Sequence, residues 1–365
     1  MKVQDITQFL ETIAPLSYQE SYDNAGLLTG SPQTEVSGVL LTLDCIEEVV
    51  LEAIKLGANL IIAHHPIIFS GIKKLNGKNY IERTIISAIK NDIAIYACHT
   101  NLDNVHVGVN RKIGEKIGLL NLKPIVSKSN TLKKLITFSP KENTKDIIQA
   151  LNSAGAGQIG HYKNCAYHHE GIGQFEPTEK ASPHTGRVNQ LEYVKEDRIE
   201  VMYPGVMEQN IIKELKRSHP YEEVAYYIAP IDNENQEVGS GMIGELEKEM
   251  NEADFLYHLK EQFNLSVIRH TALTSKKVKK IAVCGGSGSF LLKPAMSHQA
   301  DFFVTSDFKY HEFFDADGKI VVADIGHYES EVCTKELFLE ILSKKFTNIA
   351  LHLSNTETNP IYYFT

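Results

Sequence analysis

The sequence predicts an α/β protein in which both chain ends form one domain with an open mixed, mainly parallel sheet, and an inserted domain has a ferredoxin-like α+β fold. Three observations predict this architecture. Residues 1–125 alternate strand and helix patterns of the βαβ type. Residues 245–365 repeat that alternation. Between them, residues 126–244 follow a βαββαβ order, which is the ferredoxin-like pattern with an antiparallel sheet.

The first segment contains short apolar runs that are typical of buried strands. Residues 39–44, 60–63 and 93–98 are apolar or β-branched and predict three strands. Residues 47–56 predict a helix that ends at Gly57. Strands separated by helices predict parallel pairing with right-handed crossovers.

The remaining elements follow from the same patterns. The insertion predicts four strands and two helices, with strands over 132–138, 164–170, 190–202 and 224–228 and helices over 145–154 and 209–218. In the last segment, a strand over 281–284 leads into the glycine-rich residues 285–289 and an amphipathic helix. Strands over 301–305 and 319–323 complete this segment.

Composition excludes several classes of protein. The chain has 365 residues, of which 42% are hydrophobic, so it can bury a sizeable core. It contains no run of about 18 to 20 apolar residues and no apolar leader at its start, which predicts a cytoplasmic protein without a membrane partner. A net charge of −9 disfavours a nucleic-acid partner. The five cysteines form no Cys-x-x-Cys pair and predict reduced thiols.

Three segments place imidazole and carboxylate side chains just after apolar, strand-like runs, and this is the layout of a polynuclear metal site. The segments are residues 63–66, 99–103 and 326–331. Open α/β sheets bind their ligands at the carboxyl ends of strands. The neighbouring His64 and His65 point to opposite faces of a strand, so each could serve a different metal ion.

Spacing adds carboxylates to these imidazoles. Asp103 lies four residues after His99. If a helix starts near Gly326, His327 and Glu331 lie one turn apart on the same face. Taken alone, a His-His pair is more often a strand end, and a His-x-x-x-Glu pair is usually a solvated helix face. The combination of three such segments favours metal binding.

Further polar residues near the predicted strand ends are candidates for general acids or for groups that orient the ligand imidazoles. These candidates are Asp44, His99, Asp307 and His311, with helix caps as the alternative. Gly286, Ser287 and Gly288 could offer backbone N–H groups to a phosphate, with a tight strand-to-helix turn as the alternative.

The chain resembles the Nif-three-like proteins, whose members are often named GTP cyclohydrolase 1 type 2 homologues. The resemblance covers essentially the whole chain. It rests on Tyr-Asp-Asn-Ala-Gly-Leu at 22–27, Ala-His-His-Pro at 63–66, His-Thr-Asn-Leu-Asp at 99–103, Cys-Gly-Gly-Ser-Gly at 284–288 and Gly-His-Tyr-Glu-Ser-Glu at 326–331. The first motif usually begins with Trp, and Tyr22 stands there in this chain.

The resemblance implies a site for two divalent metal ions on one set of residues, namely His64, His65, Asp103, His327 and Glu331. It also implies a toroidal homohexamer and an inserted domain similar to PII and CutA proteins. Residues 218–224, Ser-His-Pro-Tyr-Glu-Glu-Val, look like the CutA signature.

Nitrogen and oxygen ligands without a thiolate suit zinc, manganese or iron, and zinc is the first choice. The expected function is a metal-dependent hydrolase that acts on a nucleotide or related small molecule. A GTP cyclohydrolase-type reaction would open the purine ring through a metal-bridging hydroxide. The alternative is a metal-binding regulatory or sensor protein with a PII-like module and no turnover.

Overall fold

A computed structural model describes residues 1–364. Its α-helices are Val3–Ile13 (α1), Glu47–Leu56 (α2), Tyr80–Lys90 (α3), Thr100–Asp103 (α4), Val109–Ile117 (α5), Thr144–Ser153 (α6), Glu208–Ser218 (α7), Glu252–Phe263 (α8), Leu292–Ser297 (α9), His327–Glu331 (α10) and Thr334–Ser343 (α11). Short 3₁₀-helices cover Leu16–Tyr18, Gly205–Met207, Ser289–Leu291 and Tyr310–Ala316. No helix among residues 1–364 is long and apolar enough to cross a membrane.

The strands are Gly26–Thr29 (β1), Val39–Thr42 (β2), Leu60–Ala63 (β3), Ala94–Ala97 (β4), Leu119–Ser127 (β5), Leu132–Pro140 (β6), Tyr167–Phe175 (β7), Glu192–Pro204 (β8), Tyr226–Ile231 (β9), Gly239–Asn251 (β10), Arg269–His270 (β11), Lys277–Ser287 (β12), Phe302–Ser306 (β13), Val321–Asp324 (β14) and Leu351–Leu353 (β15).

The chain divides into two compact units. The first combines residues 1–127 with the chain from Gln236 onward, and the second is Lys128–Asn235. The sequence places the end of the insertion at residue 244, but that position lies inside β10. Residues from Gly239 onward pair with β5, and those from Met242 also pair with β12, so the start of β10 belongs to the first unit.

The first unit contains two mixed sheets, whereas the sequence predicts one open sheet. One sheet has the order β1-β4-β3-β2-β15, and the other has the order β11-β14-β13-β12-β10-β5. Strands β2, β3, β4 and β15 are parallel, as are β12, β13 and β14. Each βαβ crossover places a strand beside its predecessor, so β2 to β4 lie together in one sheet and β12 to β14 lie together in the other. Only β15 crosses from the last segment to the first sheet.

The two sheets of the first unit share one hydrophobic core. A single buried cluster contains Leu41 and Ile62 from the first sheet together with Val283, Phe302 and Val304 from the second. The outer face of the first sheet packs against α2 and α3, and that of the second packs against α9. Because both sheets are covered on two sides, central strands such as β2 and β3 are buried along their full length.

The second unit has the predicted βαββαβ order. Its sheet has the order β7-β8-β6-β9, and all pairs are antiparallel. Leu135, Ile199 and Val201 on one face of the sheet pack with Ile147 of α6 and Ile211 of α7. This unit therefore has its own hydrophobic core, and only one face of its sheet is covered by helices.

Candidate metal centre

The candidate site lies where parallel strands of both sheets in the first unit end. The side chains concerned follow strand ends: Asp44 after β2, His64 and His65 after β3, His99 after β4, Asp307 after β13 and His327 after β14. The backbone N–H groups of His64 and His65 both donate to the carbonyl of Leu43, at 3.0 and 2.9 Å. These bonds fix the chain at the two imidazoles, whose ring centroids lie 4.9 Å apart and which belong to one potential metal group together with His99.

Helix α10 brings the last two ligand candidates to the same place. Gly326, which precedes this helix, has a φ of 92°, a conformation that glycine adopts without a steric penalty. His327 begins the helix and Glu331 ends it, so their side chains lie on one face. The predicted i, i+4 pair is therefore present, with His327 Nε2 at 3.0 Å from Glu331 Oε2.

Four imidazoles are held in the same way, each through Nδ1. The partners of Nδ1 are the Cys98 carbonyl for His64 at 2.9 Å, Asp44 for His65 at 2.7 Å, Asp23 for His99 at 2.7 Å and Asp307 for His327 at 2.6 Å. Because Nδ1 of each ring faces an acceptor, it carries the proton in the neutral tautomer and leaves Nε2 as the ligand atom. Metal-binding histidines in proteins are oriented by such partners.

The carboxylate of Glu331 lies between these rings. Its Oε2 is 3.0 Å from Nε2 of both His65 and His327, and its Oε1 is 3.9 Å from Nε2 of His64. Asp103 Oδ1 lies 3.6 Å from the same atom of His64. One carboxylate therefore presents a different oxygen to each side of the cluster.

The donor set fits a cation. His64 Nε2 and Asp103 Oδ1 are buried and have no hydrogen-bond partner. An unsatisfied buried polar atom costs about 1–3 kcal/mol, and a bound cation would satisfy both atoms. Within residues 1–364, the groups that could hold a metal ion are His64 with His65 and His99, His65 with His327 and Glu331, and His64 with Asp103 and Glu331.

Charges in the cluster shift the acid–base equilibria of the carboxyl groups in opposite directions. Burial and the neighbouring Glu331 raise the pKa of Asp103 well above its usual value. Burial also opposes the ionisation of Glu331, but the three surrounding imidazoles outweigh it and hold the pKa of this carboxyl well below its usual value. Two carboxylates this close repel each other unless positive charge lies between them.

The pKa values of the imidazoles also differ from one another. Burial lowers the pKa of His64 to about 4, so this ring is neutral at pH 7. Burial has the same tendency at His65 and His327, but carboxylate partners prevail there. Hydrogen bonds to Asp44 and Glu331 raise the pKa of His65 to about 9, and those to Asp307 and Glu331 raise the pKa of His327 to about 11.

The cluster faces a cavity of about 590 Å³. Aromatic side chains form part of its wall, and the rings of Tyr22 and Phe69 stack with centroids 6.4 Å apart and an interplanar angle of 28°. The ring of Phe69 also contacts that of His99 at 6.0 Å. Pockets of this size bind small molecules, and exposed aromatic faces suit planar ligands.

Of the predicted orienting groups Asp44, Asp307 and His311, two contact ligand imidazoles and one does not. Asp44 contacts His65, and Asp307 contacts His327, which is the orienting role that the sequence suggests for both. His311 is exposed, stacks on Phe314 and does not line the cavity. The structure therefore gives His311 no contact with the cluster through which it could act.

The glycine-rich residues of β12 approach the cluster closely. A Cβ at Gly286 would lie 2.6 Å from Glu331 Oε1, and the N–H of Gly286 donates to Ser330 Oγ at 3.2 Å. Close packing against Glu331 thus explains this glycine. Ser287 is exposed and lines the cavity, whereas Gly288 is buried and does not line it. Phosphate contact stays a prediction, and Ser287 is the residue best placed for it.

Two features of the site escape sequence reasoning. The sequence treats His99 as an orienting group, but its ring lies 5.2 Å from that of His64, among the potential ligands. Asp23 orients His99 and also accepts hydrogen bonds from the N–H and hydroxyl of Thr100. The only sequence signal for Asp23 is its place in the 22–27 motif.

The second feature is the chain after β15. Thr358 donates to Asp44 Oδ2 at 2.6 Å, and Asn359 donates to Glu329 at 3.1 Å. Pro360 and Ile361 line the cavity. These residues have no periodic pattern, so nothing in the sequence indicates that they close one side of the site.

Comparison with known proteins agrees with the motifs. The family model for Duf34/NIF3 (NGG1p interacting factor 3) matches residues 1–360. The chain belongs to this family. A Bacillus subtilis protein named GTP cyclohydrolase 1 type 2 homolog is 37% identical over 366 residues, which cover 99% of this chain and 98% of the relative. A Staphylococcus epidermidis protein of the same name is 38% identical over 368 residues and covers 100% of both chains.

Solved structures of family members share the fold. The crystal structure of a Bacillus cereus protein related to NIF3 has a TM-score of 0.89 at 36% identity and covers 100% of this chain and 99% of that one. A Staphylococcus aureus protein has a TM-score of 0.79 at 33% identity, with the same coverage. The predicted family resemblance is confirmed.

Proposed function

We propose that this DUF34/NIF3 protein is a hydrolase that uses two divalent metal ions, with zinc as first choice and iron or manganese as alternatives, to act on a nucleotide or related small molecule. The observation that carries the proposal is the convergence of four Nδ1-anchored imidazoles with the buried carboxylate of Glu331 and the half-buried carboxylate of Asp103. All of these groups except His64 line one cavity. A site of this kind with N and O ligands facing a cavity keeps room for a substrate.

The positions of the Glu331 oxygens support two ions rather than one. Oε1 faces the side of His64 and Asp103, and Oε2 faces the side of His65 and His327. A carboxylate placed in this way can bridge two cations. His99 would add its Nε2 on the side of His64 and His65.

The chain's own residues perform the positioning. When bound, a pair of divalent ions supplies Lewis acidity and lowers the pKa of a bound water to near neutral. Asp44, Asp23 and Asp307 keep the proton of their histidine partners on Nδ1, so that Nε2 stays a ligand atom. Glu331 is ionised and supplies negative charge that offsets the charge of the ions.

The cavity supports a small-molecule substrate with a planar ring. The stacked Tyr22 and Phe69 lie next to His99 and could hold a heterocycle beside the cluster. Ser287, which also lines the cavity, could contact a phosphate. Relatives named GTP cyclohydrolase 1 type 2 homolog suggest a GTP cyclohydrolase-type ring opening as the specific reaction.

Metal analysis of the purified protein, followed by a hydrolysis screen of free nucleotides with Zn, Mn or Fe, tests the proposal. We expect about two ions per subunit and metal-dependent turnover of at least one nucleotide. A metal-loaded protein that hydrolyses no nucleotide with any of these metals would favour the regulatory alternative. Two observations support that alternative: the second unit has its own hydrophobic core and its own cavity. In that alternative this unit would act as a PII-like regulatory module.

Removing the second unit tests whether metal binding by the first unit is independent of it. Ser127 pairs with Gly239 across β5 and β10, so a short linker can replace residues 128–235. All metal-ligand candidates lie outside this segment. We expect the shortened chain to remain folded, to melt cooperatively and to keep its metal content. Metal analysis and circular dichroism provide the check, and loss of metal from a folded deletion variant would contradict the expectation.

The orienting carboxylates have a measurable effect. Replacing Asp307 with asparagine removes the anionic acceptor that holds His327, and we expect metal affinity to fall by about 10- to 100-fold. Competition with a chromophoric chelator measures this change. Asp317→Asn is a matched control, because Asp317 pairs with Lys319 and does not line the cavity. Equal metal affinities of the two variants would show that Asp307 does not orient a metal ligand.

Family resemblance suggests a toroidal homohexamer, and closed symmetry is common among soluble homo-oligomers. We expect light scattering to give about six subunits per particle. A ring that encloses the sites would admit free nucleotides but exclude duplex DNA and folded proteins. Turnover of duplex DNA would contradict this arrangement.

A further inference from the structure

The second unit contains a cavity of about 600 Å³ that is separate in the chain from the metal cluster. It lies on the face of the sheet that α6 and α7 leave uncovered, because its lining residues alternate with those of the helix-packed core along β6, β8 and β9. The segment 176–185 borders it, and the N–H of Ser182 in this segment donates to Glu222 at 2.7 Å. A sheet face and a loop therefore enclose this space.

A carboxylate lies in the floor of this cavity. Glu196 on β8 is only 9% exposed, and the Tyr221 hydroxyl donates to its Oε1 at 2.8 Å. A Cβ at Gly173 would lie 2.0 Å from its Oε2, so the glycine makes room for this carboxylate. His219 holds Tyr221 in place by accepting its N–H at 3.1 Å. A carboxylate can accept about four hydrogen bonds, which leaves capacity for a ligand donor.

A guanidinium lies beside the carboxylate. Arg198 is two residues further along β8, on the same face of the sheet, and also lines the cavity. Its Nη2 pairs with Glu200 at 2.9 Å, but its Nε is buried and has no hydrogen-bond partner. A buried donor without an acceptor requires an explanation, and a ligand acceptor provides one.

Aromatic rings form part of the wall of this cavity. Phe138, which pairs with Arg198 across β6 and β8, packs edge-on against Tyr227 with ring centroids 5.8 Å apart. His184 from the bordering segment lies 5.9 Å from the ring of Tyr221. The cavity thus combines one anionic and one cationic group in its floor with an apolar wall next to them.

We propose that this cavity binds a free α-amino acid with an apolar or aromatic side chain. The ligand ammonium would donate to Glu196, its carboxylate would accept from Arg198 Nε, and its side chain would pack on Phe138 and Tyr227. A nucleotide fits poorly, because the further carboxylates Glu176, Glu222 and Glu223 line the cavity and repel phosphates. A simple amine would leave Arg198 without its acceptor.

Isothermal titration of the full-length protein with each free L-amino acid tests the proposal. We expect saturable binding of at least one apolar or aromatic amino acid. The amine and the carboxylic acid that correspond to the best ligand each lack one charged group, and each should bind at least about 10-fold more weakly. Absence of binding by every amino acid overturns the proposal, as does equal binding of the amine.

Variants assign the binding to this cavity. Glu196→Gln keeps the shape of the floor but removes its charge, and we expect at least about 10-fold weaker binding. Glu170→Gln is the matched control, because Glu170 pairs with Lys141 and does not line the cavity. If Glu196→Gln proves unstable, Tyr227→Leu replaces it, because the Tyr227 side chain is 63% exposed and its loss spares the core. Unchanged affinity in a folded cavity variant places the ligand elsewhere and refutes the assignment.

Discussion

Replacing Glu331 with glutamine should lower the metal content from the proposed two ions per subunit toward one or none. Its two oxygens face different groups of ligands, and an amide supplies neither the charge nor two equivalent oxygens. We expect metal affinity to fall by at least about 100-fold, because removing one charge from a buried charged cluster costs about 3–5 kcal/mol. Turnover should fall with the metal content.

Elemental analysis after gel filtration measures this loss. Glu329→Gln in the same helix is the matched control, because Glu329 contacts Asn359 and belongs to none of the potential metal groups. Asp103→Ala should also reduce metal content, because Asp103 lies on the His64 side of the cluster. If Glu331→Gln, Asp103→Ala and the control all retain the same metal content, the ligand assignment is wrong.

Local signals explain what could be predicted from the sequence. Helix α2 has the bounds that the sequence predicts, because Gly57 ends it with a φ of 69°. Strand β3 likewise matches, because its apolar run is bounded by polar residues. The His327–Glu331 pair follows from helical spacing once Gly326 is recognised as a helix start. These signals lie within a few residues of the feature that they predict.

The remaining features depend on contacts between distant parts of the chain. Asp23 meets His99 across 76 positions, and Thr358 meets Asp44 across 314 positions. Neither contact has a periodic pattern that could reveal it. The division of the first unit into two sheets also depends on pairing, because β5 before the insertion pairs with β10 after it, and β10 pairs with β12. Sequence reasoning therefore identified ligand segments better than the groups that hold them.

Protons and metal ions compete for the same imidazole atoms. In the metal-free site, contacts with carboxylates raise the pKa of His65 to about 9 and that of His327 to about 11, against the effect of burial. The two Nε2 atoms are 3.3 Å apart, so a proton on both would cause repulsion. At pH 7, at least one proton is therefore held by this pair, and a metal ion must displace it. His64 has a pKa of about 4 and contributes no proton.

We therefore expect metal affinity to rise by at least about 10-fold per pH unit up to about pH 9, because at least one proton leaves for each binding event. Above about pH 9 His65 is neutral and contributes no proton, so the slope should be no steeper than about 10-fold per pH unit until His327 loses its proton near pH 11. Chelator competition across this range measures the slope, and calorimetry in two buffers of different ionisation enthalpy counts the protons released. Glu329→Gln should leave the slope unchanged. An affinity that does not depend on pH would show that His65 and His327 are neutral before the metal binds. In that case neither Nε2 would donate a proton to Glu331.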